Sequence, residues 1–482
     1  MLFNSLDFAL FLPIVFAIYW LLSKRTLTTQ NLFVVCSSYV FYGWWDWRFL
    51  GLIFFSTLVD YGVSIGLRKS QNSALRKVLL ITSISVNIGF LGFFKYYNAF
   101  VENFANAFTF LGMDINIQTM YIILPVGISF YTFQTMSYTF DVYRRKMEPT
   151  TNFIAFAAFV SFFPQLVAGP IERATRLLPQ FYAKRIFKYE QAMDGLRQIL
   201  WGLFKKMVIA DNCAVFVNLF FEHTTDFSGS ALLLGAIFFS FQIYGDFSGY
   251  SDIAIGTSRL FGFNLMKNFS YPYFSRDIAE FWRRWHISLT TWFRDYLYIP
   301  LGGSHGSLLK TIRNTLIVFL VSGLWHGANW TFIVWGLLNA LLYIPLLIKG
   351  SNRKHLDLPS INGTFPSLKY LLAMLTTFAL TTLSWVIFRA ESLAHAYQYY
   401  SGMFSASLFS VPQFPGFNRA ATTLFLILIF TLIEWRGRFR PYAIYNLAFS
   451  KSYIVRIALY YLLVATILWF GGEEQQFIYF QF

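Results

Sequence analysis

The chain has 482 residues, of which 56% are hydrophobic, 21% aromatic and only 13% charged. That composition excludes a soluble enzyme with a hydrated surface and fits an all-α, polytopic integral membrane protein. The formal net charge of +15, from 38 basic and 23 acidic side chains, would suggest nucleic acid in a soluble chain. Here the lysines and arginines sit in short loops between apolar runs, the positive-inside pattern, so no nucleic acid is expected and the lipid bilayer is the expected partner.

From the N-terminus onward, apolar runs of roughly 16 to 23 residues recur, each about long enough to cross a ~30 Å hydrocarbon core. The first, residues 1–22, lacks a basic leader and an Ala-x-Ala site and is followed by Lys24-Arg25, so it reads as a retained span rather than a signal peptide. Basic clusters at Lys24-Arg25, Arg68 to Lys77, Arg144 to Lys146, Arg173 to Lys188, Lys349 to Lys354 and Arg436 to Lys451 are placed in the cytoplasm. The loops near Trp44 to Asp46 and at 101–118, 223–230 and 391–419 are poor in Lys and Arg and are placed outside. The expected architecture is about 11 to 12 transmembrane helices, both termini outside, with re-entrant or interfacial helices around a central tunnel. No separate soluble domain is visible; residues 1–482 form one transmembrane domain with a core over about 119–349 and an aromatic tail at 471–482. Cys36 and Cys213 lie in or beside apolar segments with no CxxC spacing and no histidine cluster, so neither a disulfide nor a metal is implied.

Two segments resist this alternation. Residues 152–168 are apolar but lie between two basic loops, which predicts a re-entrant element. Residues 271–303 alternate aromatics with arginines and are too charged to span; Trp282, Trp285, Leu289 and Trp292 recur at helical spacing, which predicts an interfacial helix. Arg283, Arg284 and Arg294 then face headgroups or a polar cavity, and a funnel from the cytoplasmic side follows.

The sharpest chemical signal is His326, set between apolar runs in Val321 to Trp330; an ionisable side chain at membrane depth is a functional site by default. Its apolar setting keeps the imidazole neutral, and a neutral imidazole can take a proton from a hydroxyl. Gly323 and Gly327 leave the backbone open to a close ligand, and Asn329 offers a donor to orient the ring or bind a carbonyl oxygen. The alternative is a structural histidine bonded to a neighbouring helix. Asp246 and Asp252, in an apolar segment rich in Gly, Ser and Tyr, need partners or water: either arginines of the 271–303 segment or a histidine whose tautomer they hold. Gln134 and Gln165, near Pro125 and Pro164, either bind the donor substrate or join helix to helix.

Taken together, Trp325-His326-Gly327, the segment Phe281 to His286 with Tyr298 to Gly303, Tyr244 to Asp252, Leu124 to Gln134 and Phe163 to Pro170 resemble the membrane-bound O-acyltransferase family, in its bacterial alginate O-acetyltransferase branch. The resemblance runs over essentially the whole chain. It implies transfer of an acyl group from a thioester to a hydroxyl through a membrane-embedded tunnel, with His326 at the catalytic histidine position and His286 at a second histidine nearer the cytoplasmic mouth. The implied donor is acetyl-CoA or an acyl-carrier thioester, with no bound cofactor; Arg283, Arg284 and Arg294 would meet its phosphates. The implied destination is an exported polysaccharide such as alginate, peptidoglycan or cellulose, reached through an extracytoplasmic SGNH-type acetyltransferase or another acetyl-accepting partner. The implied location is the bacterial cell inner membrane.

The tail, Gly471 to Phe482, ends with four aromatics in its last six residues, and a stretch so apolar should dock rather than fray. It is similar to the carboxyl-terminal motif of the small partner peptide of teichoic-acid D-alanylation, which by analogy makes Tyr479 an acyl relay; the other reading is an aromatic anchor at the interface. The rival class, a transporter, predicts repeated halves, and no second copy of either histidine motif is present. P-loop, Gly-x-Gly-x-x-Gly, His-Glu-x-x-His and Gly-x-Ser-x-Gly signatures are absent from the sequence.

Overall fold

A computed structural model describes residues 1–110, 119–167, 169–356, 366–449, 452–473, 475, 477 and 478. The protein is all-α: among the described residues every regular element is helical, and nine helical runs are long and apolar enough to cross a bilayer. One of these runs, Leu27–Lys69, contains two 20-residue helices, Leu27–Asp46 and Leu50–Lys69. The chain divides into two compact units, one made of Met1–Gly195 with Ala254–Met266, the other of Leu196–Ile253 with Lys267–Phe482.

In the first unit, Ser5, Thr26 and Asn72 cap the helices Leu6–Leu21, Leu27–Asp46 and Ser73–Leu91 by accepting backbone N–H groups of the first turn. Ile128–Tyr143 is rich in polar side chains yet almost wholly buried, and Gln134, Thr135, Tyr138 and Thr139 bond to neighbouring helices. Gln134 donates to the Phe159 carbonyl at 2.8 Å and accepts from Gln165 at 2.9 Å, so both glutamines join helices. The segment around 152–168 folds as Phe153–Ser161, a break at Phe162, and Phe163–Leu166. Nine residues rise only about 14 Å, so this element does not cross the membrane. Gly127, at φ 74°, starts the Ile128–Tyr143 helix against the Leu166 carbonyl, where a Cβ would collide.

In the second unit, Leu308–His326 and Trp330–Ile348 form a tight hairpin of two 19-residue helices. Its closeness rests on Gly323 and Gly336: a Cβ on the first would strike the Phe332 carbonyl oxygen, and one on the second the Phe319 carbonyl oxygen. The expected continuous helix in 271–303 is two short ones, Ile278–Arg284 and Ile287–Phe293. The break falls on His286, at φ 42°. Asn268 holds it: its carbonyl accepts from Ile287 N at 2.8 Å and its side-chain oxygen accepts from Ser288 Oγ at 2.9 Å.

Candidate active site

Both histidines line one cavity of about 920 Å³ in the second unit. His326 is the last residue of Leu308–His326, where Gly327 ends the helix with extended backbone. Its ring, 5% exposed, is packed by Trp325, Trp335 and Phe388 at centroid distances of 4.8, 5.2 and 5.2 Å. His286, 2% exposed, packs against Phe247 at 4.6 Å and Trp325 at 5.9 Å. Burial pushes its imidazole down to about 3, so it is neutral at physiological pH. A non-glycine residue in the left-handed region stores about 1–3 kcal/mol of strain, a cost that structures retain mainly at functional positions.

The cavity also has a basic, solvent-reaching part. Arg283, Arg294 and Arg353 line it; Arg353 is exposed, and Arg294 is 60% exposed with Asp295 beside it. Arg283 is fixed by donating to the carbonyls of Asn352 at 2.7 Å and His355 at 2.9 Å. Exposed guanidinium groups at one part and buried imidazoles at another suit a ligand with a charged end and an apolar reactive end.

Several sequence expectations are corrected. Arg284 does not line the cavity; it is buried and pairs with Glu280, which also holds Arg276. Asn329 is not aimed at His326: it is the N-cap of Trp330–Ile348, its oxygen accepting from Thr331 N at 3.0 Å and its amide donating to the Glu391 carbonyl at 2.6 Å. Gly323 and Gly327 admit Phe332 rather than a ligand, since a Cβ on Gly327 would strike the Phe332 ring. Gln134 is taken up by the Phe159 carbonyl and the Gln165 amide. Asp246 and Asp252 pair with lysines, not with arginines or a histidine: Asp246 with Lys206 at 2.8 Å, and Asp252 with Lys205 at 2.5 Å and Gln198 at 2.6 Å. Lys206 also bridges to Asp211 at 2.8 Å.

Lys205 and Lys206 were missed in the sequence, although a basic doublet inside the apolar run Ile199 to Ala210 is the same signal that singled out His326. They lie in a π-helical turn, Phe204–Ala210, whose wider winding reduces the angle between successive side chains and turns both inward.

The tail docks into this region. Asn212 donates to the Phe470 carbonyl at 2.7 Å, Gly472 N to Met207 O at 3.0 Å, Lys206 to Gln475 O at 2.9 Å, and Ile478 N to Asp246 at 2.6 Å. Phe477 is fully buried, 4.5 Å from Tyr250 and 5.8 Å from Phe247, the ring that packs on His286. Tyr479 lies outside the described residues.

A helical membrane protein with two buried histidines lining one cavity is compatible with acyl transfer, and the comparisons supply the class. The profile of MBOAT, the membrane-bound O-acyltransferase family, matches residues 41–349. The chain is 41% identical to a protein named "Probable alginate O-acetylase AlgI" from Pseudomonas aeruginosa, over 88% of this chain and 78% of that protein. It is 38% identical to the peptidoglycan O-acetyltransferase of Helicobacter pylori, over 84% and 80%. It is 28% identical to the teichoic acid D-alanyltransferase of Bacillus subtilis, over 56% and 70%. The chain belongs to the membrane-bound O-acyltransferase family and is a multi-pass membrane O-acyltransferase.

Proposed function

We propose that the protein passes an acetyl group from a cytoplasmic thioester, acetyl-CoA, across the bacterial inner membrane toward O-acetylation of an exported polysaccharide such as alginate. The observation that carries this reading is the single cavity lined by His326, His286 and the arginines Arg283, Arg294 and Arg353. Arginines at the exposed part meet the phosphates of the coenzyme, and the thioester reaches the buried part. His326 takes the proton of the acceptor hydroxyl as its oxygen attacks the thioester carbonyl; the carbon–sulfur bond breaks, and the thiolate leaves and is protonated. His286, neutral and held at a strained turn, orients the thioester arm. Keeping donor and acceptor on opposite membrane faces spares transport of the charged coenzyme.

Tyr479 is the proposed acyl relay at the tail, handing acetyl to an extracytoplasmic SGNH-type acetyltransferase. The anchoring of Phe470, Gly472, Gln475 and Ile478 supports this, because Ile478 immediately precedes Tyr479. The Helicobacter relative supports peptidoglycan as the second acceptor to test. Incubating the protein and a candidate partner with acetyl-CoA and either alginate or peptidoglycan, and measuring ester on each polymer, distinguishes the two; ester on neither, with coenzyme still released, removes both acceptors.

A further inference from the structure

The first unit holds a carboxylate that acyl transfer does not use. Asp60, near the middle of Leu50–Lys69, is 0% exposed. Its oxygens accept from Ser83 Oγ at 2.5 Å, from Thr139 Oγ1 at 3.3 Å and from the Asn87 amide at 3.0 and 3.2 Å. The Asn87 side-chain oxygen in turn accepts from Ser56 and Thr135, each at 3.1 Å. Three helices, Leu50–Lys69, Ser73–Leu91 and Ile128–Tyr143, thus gather the oxygens of Ser56, Asp60, Ser83, Asn87, Thr135 and Thr139 into one buried cluster.

Every hydrogen-bond partner of Asp60 is neutral. Arg76, on the same neighbouring helix, is taken up by the carbonyls of Leu67, Ser70 and Tyr143, and among the described residues no cation pairs with Asp60. A carboxylate held in an apolar interior by neutral donors alone lacks charge compensation. At membrane depth such a group marks an ion or proton site. The candidate ligands are the Asp60 carboxylate, the hydroxyls and, once the Asn87 amide that now donates to Asp60 is turned over, the Asn87 oxygen; oxygen ligands select hard cations over transition metals. One carboxylate balances one positive charge; a divalent ion would leave net charge buried and ordinarily gathers several carboxylates. Hydroxyl rotors turn freely enough to present lone pairs in place of O–H groups. We propose that the Asp60 cluster is a sodium-binding site that ties the three helices together.

The test is thermal unfolding of the full chain in lipid nanodiscs, in sodium, potassium or choline chloride at equal ionic strength. A ligand bound by the folded state alone raises Tm with its concentration, so sodium should give a concentration-dependent rise that choline does not, and Asp60→Asn should abolish it. Ser83→Ala and Thr139→Ala, which keep the carboxylate and remove one oxygen each, should move the sodium midpoint to higher concentration, and they carry the test if Asp60→Asn does not fold. Equal Tm values in all three salts would overturn the site and leave Asp60 to be neutralised by a proton. A sodium response undiminished in Asp60→Asn, or midpoints unmoved in both hydroxyl variants, would overturn it equally.

Discussion

The backbone N–H of Ile478 donates to the carboxylate of Asp246 at 2.6 Å, across 232 residues of chain. Asp246 is itself held by Lys206, and Lys206 also donates to the Gln475 carbonyl, so one ion pair anchors the tail at two points. Breaking a buried pair by removing one charge costs about 3–5 kcal/mol. Asp246→Asn and Lys206→Met should therefore release the tail. Carboxypeptidase digestion read by mass spectrometry should trim both variants past residue 475 while the parent resists; equal trimming would show that the anchor lies elsewhere.

His326 ends its helix inside the cavity among Trp325, Trp335 and Phe388. Loss of a general base lowers turnover by about 10²–10⁴-fold. His326→Ala and His326→Gln should both fall in kcat by that order with little change in Tm or membrane insertion. A variant retaining parental kcat would show that the proton goes to another group.

His286 makes acid stability a readout of its burial. Its folded value of about 3 lies below the ~6.5 of an unfolded histidine, so between these limits the unfolded chain binds more protons. Stability is therefore fully present above about pH 6.5 and is lost as pH falls toward 3, by up to about 1.4 kcal/mol per pH unit. His286→Gln removes this contribution, so its Tm should fall less steeply than the parent's from pH 6.5 to 4. Parallel profiles would mean that the imidazole is not buried as neutral.

Gly323 and Gly336 face carbonyl oxygens of the partner helix. Alanine at either should splay the hairpin, at about 1–3 kcal/mol for overpacking, and displace His326 three positions further on. Gly62→Ala, in a helix where nothing meets the added Cβ, should be neutral or stabilising by about 0.5–1 kcal/mol. Thermal melts of the three variants separate steric from helix-propensity effects.

What the sequence made legible follows from what apolar solvent demands. Membrane character, the helical class, the short element at 152–168 and both cavity histidines were readable because each is a local departure from, or agreement with, lipid-compatible sequence. The break at His286 was not, since Trp282, Trp285, Leu289 and Trp292 keep helical spacing through it and the cause is Asn268, outside the pattern. The lysine partners of Asp246 and Asp252 were not legible, and arginines or a histidine were expected instead, because composition shows charge but not which distant helix supplies the partner. Asn329 was misread although its place just before the apolar run at Trp330 is a helix-start signal. Asp60 passed unremarked among the hydroxyl-bearing residues that receive it.

The most direct test of acyl transfer through His326 is incubation of purified protein in nanodiscs with [14C]acetyl-CoA, following coenzyme release and label on the protein for the parent, His326→Ala and Tyr479→Phe. The account predicts coenzyme release by the parent, release lowered about 10²–10⁴-fold in His326→Ala, and protein-bound label lost in Tyr479→Phe. Coenzyme release by His326→Ala at the parental rate would contradict it.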